Sequence, residues 1–229
     1  MTYQLLVGDY AYSSWSLRGW LLFEAFDLPV QTSLTLLDTD DFTRDISAFH
    51  PARTVPALRL PEGVVIADSL AIAEELATRH PEAGHWPSEP AARAVARGLA
   101  AEMHSSFAAL RSHCPMNLRL SYRDCAPPEA VLVDLARIEQ IWDWARQITG
   151  STGPWLCGAY SVADAFFAPV AARIAGYNLP VSPAAMDYVA AHLAHEPFLR
   201  WRDLALAEGP DKARYQRDWP QRPWPDPVR

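Results

Sequence analysis

Apolar positions recur along this chain with two periods, and the changes of period mark its elements. The run Tyr3 to Val7, "YQLLV", is short and mostly apolar and reads as a buried strand. In the segment that follows, Ser14 to Phe26, apolar residues return every three to four positions. Leu17, Leu21, Leu22 and Phe26 share one face, which predicts a helix. Residues 28–37, "LPVQTSLTLL", are rich in β-branched and apolar side chains and predict a second strand. Strand, helix and strand in quick succession form a βαβ unit and therefore a parallel pair. The polar stretch Asp38 to Asp45 is expected to be a solvated loop; it has several carboxylates but neither the glycine nor the closing glutamate of a calcium loop. "VPALRL" and "GVVIA" flank the turn "PEG" as a hairpin of two short strands, and a helix is expected over residues 68–80.

The order β-α-β then β-β-α over residues 1–80 is the plan of a thioredoxin-like domain. Residues 81–90, "PEAGHWPSEP", carry no periodicity between bracketing prolines and read as an interdomain linker. Beyond them no strand is predicted. Helices are expected over 91–113, 128–147 and 162–174, with shorter ones after Ser182 and Pro197, so residues 91–229 read as an all-helical domain. The fold class is thus α/β plus all-α, a thioredoxin-like domain followed by a helical bundle. "SVAD" is a capping box in which the Asp164 carboxylate reaches back to the Ser161 N–H, and Ser182 is an N-cap followed by Pro183. The tail, residues 214–229, is extended and rich in proline and tryptophan; two readings stand, one in which Trp219 and Trp224 pack it against the body and one in which it is mobile.

Composition narrows the function. The 229 residues are half hydrophobic, and the formal net charge of -7 argues against a nucleic-acid or anionic-membrane partner. No apolar run is long enough to span a bilayer, and the first residues lack the charged start and cleavage site of a leader, so a cytoplasmic location is expected. Cys114, Cys125 and Cys157 have no CxxC spacing, which points to reduced thiols, with neither a disulfide framework nor a zinc site. His192 and His195 have the spacing of a metal pair without a third ligand and are expected to be solvated on the surface; no metal is expected.

The candidate chemistry begins at "SSWS". A strand that runs into a helix start brings free N–H groups and partial positive charge to one point. Ser13 and Ser16 hold the two positions that a thioredoxin-like domain gives to CxxC. Serine cannot form a mixed disulfide, but its hydroxyl can donate a hydrogen bond to the thiolate of another molecule. Val55-Pro56 stands where this fold places a cis peptide, leaving the Val55 backbone as a free edge for a peptide. Asp68 and Ser69, at a helix start, suit the carboxylate and ammonium of an α-amino acid end. Singly, each feature also reads as an ordinary cap or strand start. Their joint spacing is the signal.

With these motifs the chain resembles the cytosolic glutathione transferases over nearly its whole length. "SSWS" looks like the "SSCS" of the serine-type zeta class, "TVPAL" like its "QVPTL", "DSLAI" like its "ES-x-AI", and "PWLCGAYSVADAFFAPVAARI" like the signature of the helical domain. The resemblance implies a bacterial enzyme of detoxification that uses glutathione as co-substrate to conjugate or reduce small electrophiles or peroxides. It makes Ser13, or Ser14 one residue on, the hydroxyl that stabilises the thiolate. It sets Val55 against the cysteinyl backbone, Asp68 and Ser69 at the γ-glutamyl end, Arg53 and Thr54 near the glycyl carboxylate, and Trp15 beside the thiol. It implies an electrophile site between Trp15 and the first long helix of the second domain, with Met103, Phe107 and Arg111, and a homodimer. A glutathione-dependent isomerase of the maleylacetoacetate type and a carrier without catalysis are the alternatives. Trp15, where the zeta pattern has cysteine, weighs against the isomerase.

Overall fold

Strand β1 (Tyr3–Gly8) is buried on both faces, which explains why its sequence is nearly continuous in apolar residues. Tyr3, Leu5 and Val7 join the main core, while Leu6 turns to a second cluster with Ile46, Phe49, Val55 and Ala57. The computed structural model describes residues 2–225. Parallel to β1 runs β2 (Val30–Thr35), while β3 (Ala57–Arg59) and β4 (Val65–Ile66) complete a four-stranded mixed sheet of order β2-β1-β3-β4. Helices α1 (Ser14–Glu24) and α3 (Ser69–Arg79) supply Leu17, Leu21, Ile72 and Leu76 to the main core. This is a thioredoxin-like domain, and a helical region follows it.

The stretch expected as an acidic loop is instead a helix, α2 (Asp40–Ser47). Its signals are local. Thr39 caps it by accepting from the Phe42 N–H at 3.3 Å, Asp40 and Asp41 lie in the first turn, and Arg44 lies in the last, all matched to the helix dipole. Ile46 and Phe42 give it a narrow apolar edge that closes the second cluster.

The helical region contains α4 (Pro90–Ser105), α5 (Ala108–His113), α6 (Glu129–Thr149), α7 (Val162–Tyr177), α8 (Pro183–Ala194) and α9 (Glu196–Ala207). Every residue of α7 is buried, and it packs against α1, α4 and α8. One apolar cluster therefore runs from the sheet through α1 into the helices. Within the expected linker, the buried His85 ring bonds the Leu22 carbonyl at 2.9 Å. Asp164 behaves as the capping box predicts, with Oδ2 accepting from the Ser161 N–H at 2.9 Å; Oδ1 also accepts from the Tyr188 hydroxyl at 2.8 Å.

Three further expectations are corrected. The helix expected over 91–113 is broken, because Phe107 adopts a left-handed conformation with φ of 60° and separates α4 from α5. The second half of the chain does contain strands: β5 (Ser121–Tyr122) and β6 (Gln221–Arg222) pair antiparallel and fasten the tail. Trp219 rests against His113, Tyr122 and Tyr177, and Trp224 lies over Gly176. Residues 226–229, the end of the expected tail, lie outside the described residues. Finally, His192 is fully buried among Trp155 and Tyr188, not solvated. Among the described residues no helix is long and apolar enough to cross a membrane.

Candidate functional site

The chain leaves β1 through a tight loop that delivers serines to the mouth of α1. The Asp9 carbonyl accepts from the N–H groups of Tyr12 at 3.1 Å and Ser13 at 2.8 Å. Ser13 then caps α1, its Oγ accepting from the Ser16 N–H at 3.3 Å. The Ser13 and Ser16 hydroxyls bond each other at 2.7 Å, and Ser16 Oγ also accepts from the Gly8 N–H at 2.9 Å. The two positions that would hold cysteines in a redox motif thus form a linked hydroxyl pair, anchored on the strand and buried except at Ser13's outer edge. Gly19, one turn further along, lets the Pro56 ring approach: a Cβ there would lie 2.7 Å from it. The Val55–Pro56 peptide is cis.

Two cavities share the Trp15 ring as a wall. The first, about 220 Å³, is lined by Trp15, Thr54, Val55, Asp68, Ser69 and His104. Its polar groups are only partly used. The Asp68 carboxylate caps α3 through the N–H groups of Leu70 and Ala71, at 2.8 and 3.0 Å, and its other oxygen faces His104 Nε2 at 3.2 Å. The buried Ser69 hydroxyl has no partner among the described residues. Neither the N–H nor the C=O of Val55 is engaged in a loop or turn hydrogen bond among the described residues. Orphan polar groups in a concave wall fit a ligand that carries a peptide backbone and an amino acid end.

The second cavity, about 410 Å³, is lined by Tyr12, Ser13, Ser14, Trp15, Arg111, Met116, Arg173 and Tyr215, among others. Arg173 Nη2 donates to Ser14 Oγ at 3.4 Å, and its other nitrogens bond the carbonyls of Cys114 at 2.9 Å and Pro169 at 3.1 Å. Burial, together with the nearby Arg111 charge, pulls the Arg173 pKa down to about 10, which leaves it a cation at neutral pH. The tail closes the outer wall. Tyr215 stacks on Tyr12 with centroids 4.5 Å apart, and Lys212 Nζ pairs with the buried Asp9 carboxylate at 2.7 Å.

The structure therefore brings Trp15, Thr54, Val55, Asp68 and Ser69 together around one cavity, and Ser13, Ser14, Trp15 and Arg111 around the other. Arg53 is exposed beside Thr54 and lines neither. Met103 and Phe107 are core residues, 0% and 4% exposed, and also line neither cavity. The break at Phe107 removes the shared helical face on which their grouping with Arg111 rested. Sequence reading passed over Tyr12, Arg18, Arg173 and Tyr215. A signal existed for Arg173, which with the capping Asp164 is one of two charged residues in α7; none existed for Tyr215, which reaches the site from the tail. Among the described residues no cluster of three or more histidine, cysteine or carboxylate side chains could hold a metal ion.

Residues 12–79 match the family profile described as glutathione S-transferase, N-terminal domain. No curated protein matches the chain in sequence. Solved structures match along nearly the whole length. A glutathione transferase homologue from a Burkholderia strain, BGR1, with bound glutathione, has a TM-score of 0.67 at 21% identity, covering 91% of this chain and 100% of its own. A glutathione transferase from Methylococcus capsulatus gives 0.65 at 21% identity, over 90% and 100% of the two chains. Glutathione transferase Omega 3C from Trametes versicolor gives 0.66 at 19% identity, over 94% and 92%. At these identities the likeness is one of fold.

Proposed function

We propose that the protein is a glutathione transferase in which the Ser13 hydroxyl stabilises the thiolate of bound glutathione, which attacks a small electrophile, or attacks a peroxide oxygen with a second glutathione then taking the sulfur to form oxidised glutathione and water. The observation that carries this reading is the Ser13–Ser16 hydroxyl pair at the mouth of α1, set between a cavity of orphan backbone and hydroxyl groups and a second cavity open to another reactant. Ser13 Oγ donates to Ser16 Oγ, which also accepts from the Gly8 N–H; with a thiolate bound, rotation of the Ser13 hydroxyl would carry its proton from Ser16 to sulfur, and the Ser16 hydroxyl would then donate to Ser13 in turn. In the first cavity Val55 would pair with the cysteinyl backbone, while Asp68 and Ser69 would hold the amino acid end; Thr54 and the exposed Arg53 stand at the other end.

The energetics suffice. Lowering a thiol pKa from about 8.5 by roughly two units requires about 2.7 kcal/mol. One hydrogen bond to a charged group contributes about 1.5–3 kcal/mol, and a helix N-terminus up to about 2. Holding thiolate and electrophile on either side of Trp15 adds the advantage of proximity. Ser14, bonded to Arg173, is the second hydroxyl within reach. The reading includes a homodimer. Val133, Trp144 and Ile148 leave an exposed apolar face on α6, beside a groove lined by Leu99 and Ile141, and sedimentation velocity reads the assembly directly.

The test is a pH titration of thiolate absorbance for glutathione bound to the native chain and to Ser13→Ala. The reading expects a thiol pKa well below that of free glutathione in the native protein and one restored towards it in the variant. Binding without a shift, or no binding, would falsify it and favour a carrier.

A further inference from the structure

Two guanidinium groups stand over Trp15 and a third bonds the neighbouring Ser14, with no carboxylate among them. Arg18 of α1 stands 4.4 Å from the Trp15 ring centroid and 5.2 Å from that of Phe166, and Arg111 of α5 stands 4.7 Å from the Trp15 ring. Arg173 of α7 reaches the same place through Ser14. Among the described residues none of the three forms an ion pair, although the chain as a whole is acidic. Arg18 is 1% exposed, with Nε and Nη1 unpartnered among the described residues. Burial lowers its pKa, and the charges of Arg173 and Arg111 lower it further, so the three cations repel one another. Among the described residues the Arg111 guanidinium makes no hydrogen bond or ion pair and stands over the Trp15 ring. Like charges gathered out of water are costly unless something compensates them, and the protein supplies no acid to do so.

Two of the three, Arg111 and Arg173, line the cavity that also holds Ser13 and Ser14. Guanidinium groups match the planar fork of a carboxylate. The remaining wall, with Tyr12, Trp15, Met116 and Tyr215, offers flat and apolar surface to an organic body. We propose that this cavity is an anion site, in which Arg111 and Arg173 hold the carboxylate of an acidic electrophile while its body lies against Trp15. The substrate class is then organic acids carrying an electrophilic carbon. The assignment of this anion as the second substrate rests on the transferase reading above; the site itself does not.

The test uses 3,5-dinitrobenzoate and its neutral amide as unreactive probes, with tryptophan quenching as the signal, on the native chain and on Arg111→Gln, which alters a partly exposed side chain. The native protein is expected to bind the benzoate roughly tenfold more tightly than the amide. Arg111→Gln should bring that ratio close to one, and saturating glutathione should leave the benzoate affinity unchanged. For turnover, 4-chloro-3,5-dinitrobenzoate is compared with its amide: thiolate sulfur bonds to C4, chloride leaves with the C–Cl electron pair, and the thiol proton has already passed to solvent. The same ratio is expected in kcat/KM. Equal binding of acid and amide overturns the proposal. So does displacement of the benzoate by glutathione, which would give the arginines to the peptide, or an Arg111→Gln variant that raises the glutathione thiol pKa without changing the ratio. Selective benzoate binding by a protein that binds no glutathione supports the anion site and overturns the transferase reading.

Discussion

Replacing Lys212 by methionine tests how firmly the tail holds the loop that presents Ser13. Lys212 Nζ donates to Asp9 Oδ2 at 2.7 Å and to the Leu37 carbonyl at 2.5 Å, and the lysine side chain is only 12% exposed. Asp9 is 3% exposed; the Leu37 N–H also donates to its Oδ2, at 2.9 Å, while Oδ1 has no partner among the described residues. The same residue's carbonyl sets the turn that presents Ser13. Methionine keeps the bulk of lysine and removes the cation, leaving a buried carboxylate with one backbone donor. Breaking a buried pair from one side costs about 3–5 kcal/mol, whereas an exposed pair is worth at most about 1. With a urea slope near the upper end of the usual range, about 3 kcal/mol per molar, the unfolding midpoint should fall by about 1–2 M. Asp9→Asn combined with Lys212→Met removes both charges and should recover most of the loss. The assay is equilibrium urea unfolding followed by tryptophan fluorescence. A loss below about 1 kcal/mol in Lys212→Met, or a double variant no more stable than the single, would refute the claim that a buried ion pair pins the tail to this loop.

Ser16→Ala removes the hydroxyl that orients Ser13 and leaves the Gly8 N–H without its acceptor. It should cost about 1–3 kcal/mol of stability and raise the pKa of bound glutathione, a readout that loss of packing alone would not move. The buried His192 ring should make the protein sensitive to acid. Burial pushes its pKa down to about 3, and that of His195 to about 4, both below the unfolded value near 6.5. The native state therefore holds fewer protons than the unfolded chain below that value. The associated stability is complete above about pH 6.5 and falls as pH drops towards 4, by about 1.4 kcal/mol per pH unit from His192 alone. His192→Leu, which breaks no hydrogen bond among the described residues, should flatten the slope of thermal stability between about pH 6.5 and 4.5; an unchanged slope would assign it to other groups.

The parts of this molecule that were legible in the sequence depend on near neighbours. The βαβ start needs only a period-2 run, a period-3.6 run and another strand, and all three stand between Tyr3 and Thr35. The pairing of Ser13 with Ser16, the capping of α3 by Asp68 and the return of Asp164 to Ser161 span three residues each. Helix α2 was equally local, but its cap at Thr39 and first-turn acids are written in polar residues, which a reading led by apolar periodicity passes over. The arginine cluster could not be read in this way. Arg18, Arg111 and Arg173 lie on three helices and become neighbours only when α7 is driven between α1 and α4 by its almost wholly apolar surface. The same holds for Tyr215 and Lys212, which meet Tyr12 and Asp9 across about two hundred residues.

That division bears on what the two cavities can do. The groups proposed to meet glutathione come from residues 13–69, within the thioredoxin-like domain and inside the segment that matches the N-terminal family profile. The groups of the second cavity that would face the other reactant come from α5, α7 and the tail, whose positions are set by long-range packing. Local motifs can persist while distant walls are rebuilt, because Ser13, Val55 and Ser69 are held by their own strand and helix ends. Changing Arg111 alters the second cavity without touching those supports. On the proposed reading, the nucleophile site is fixed by local structure, and the positive charge beside Trp15 is the feature of the second cavity that would select its reactant.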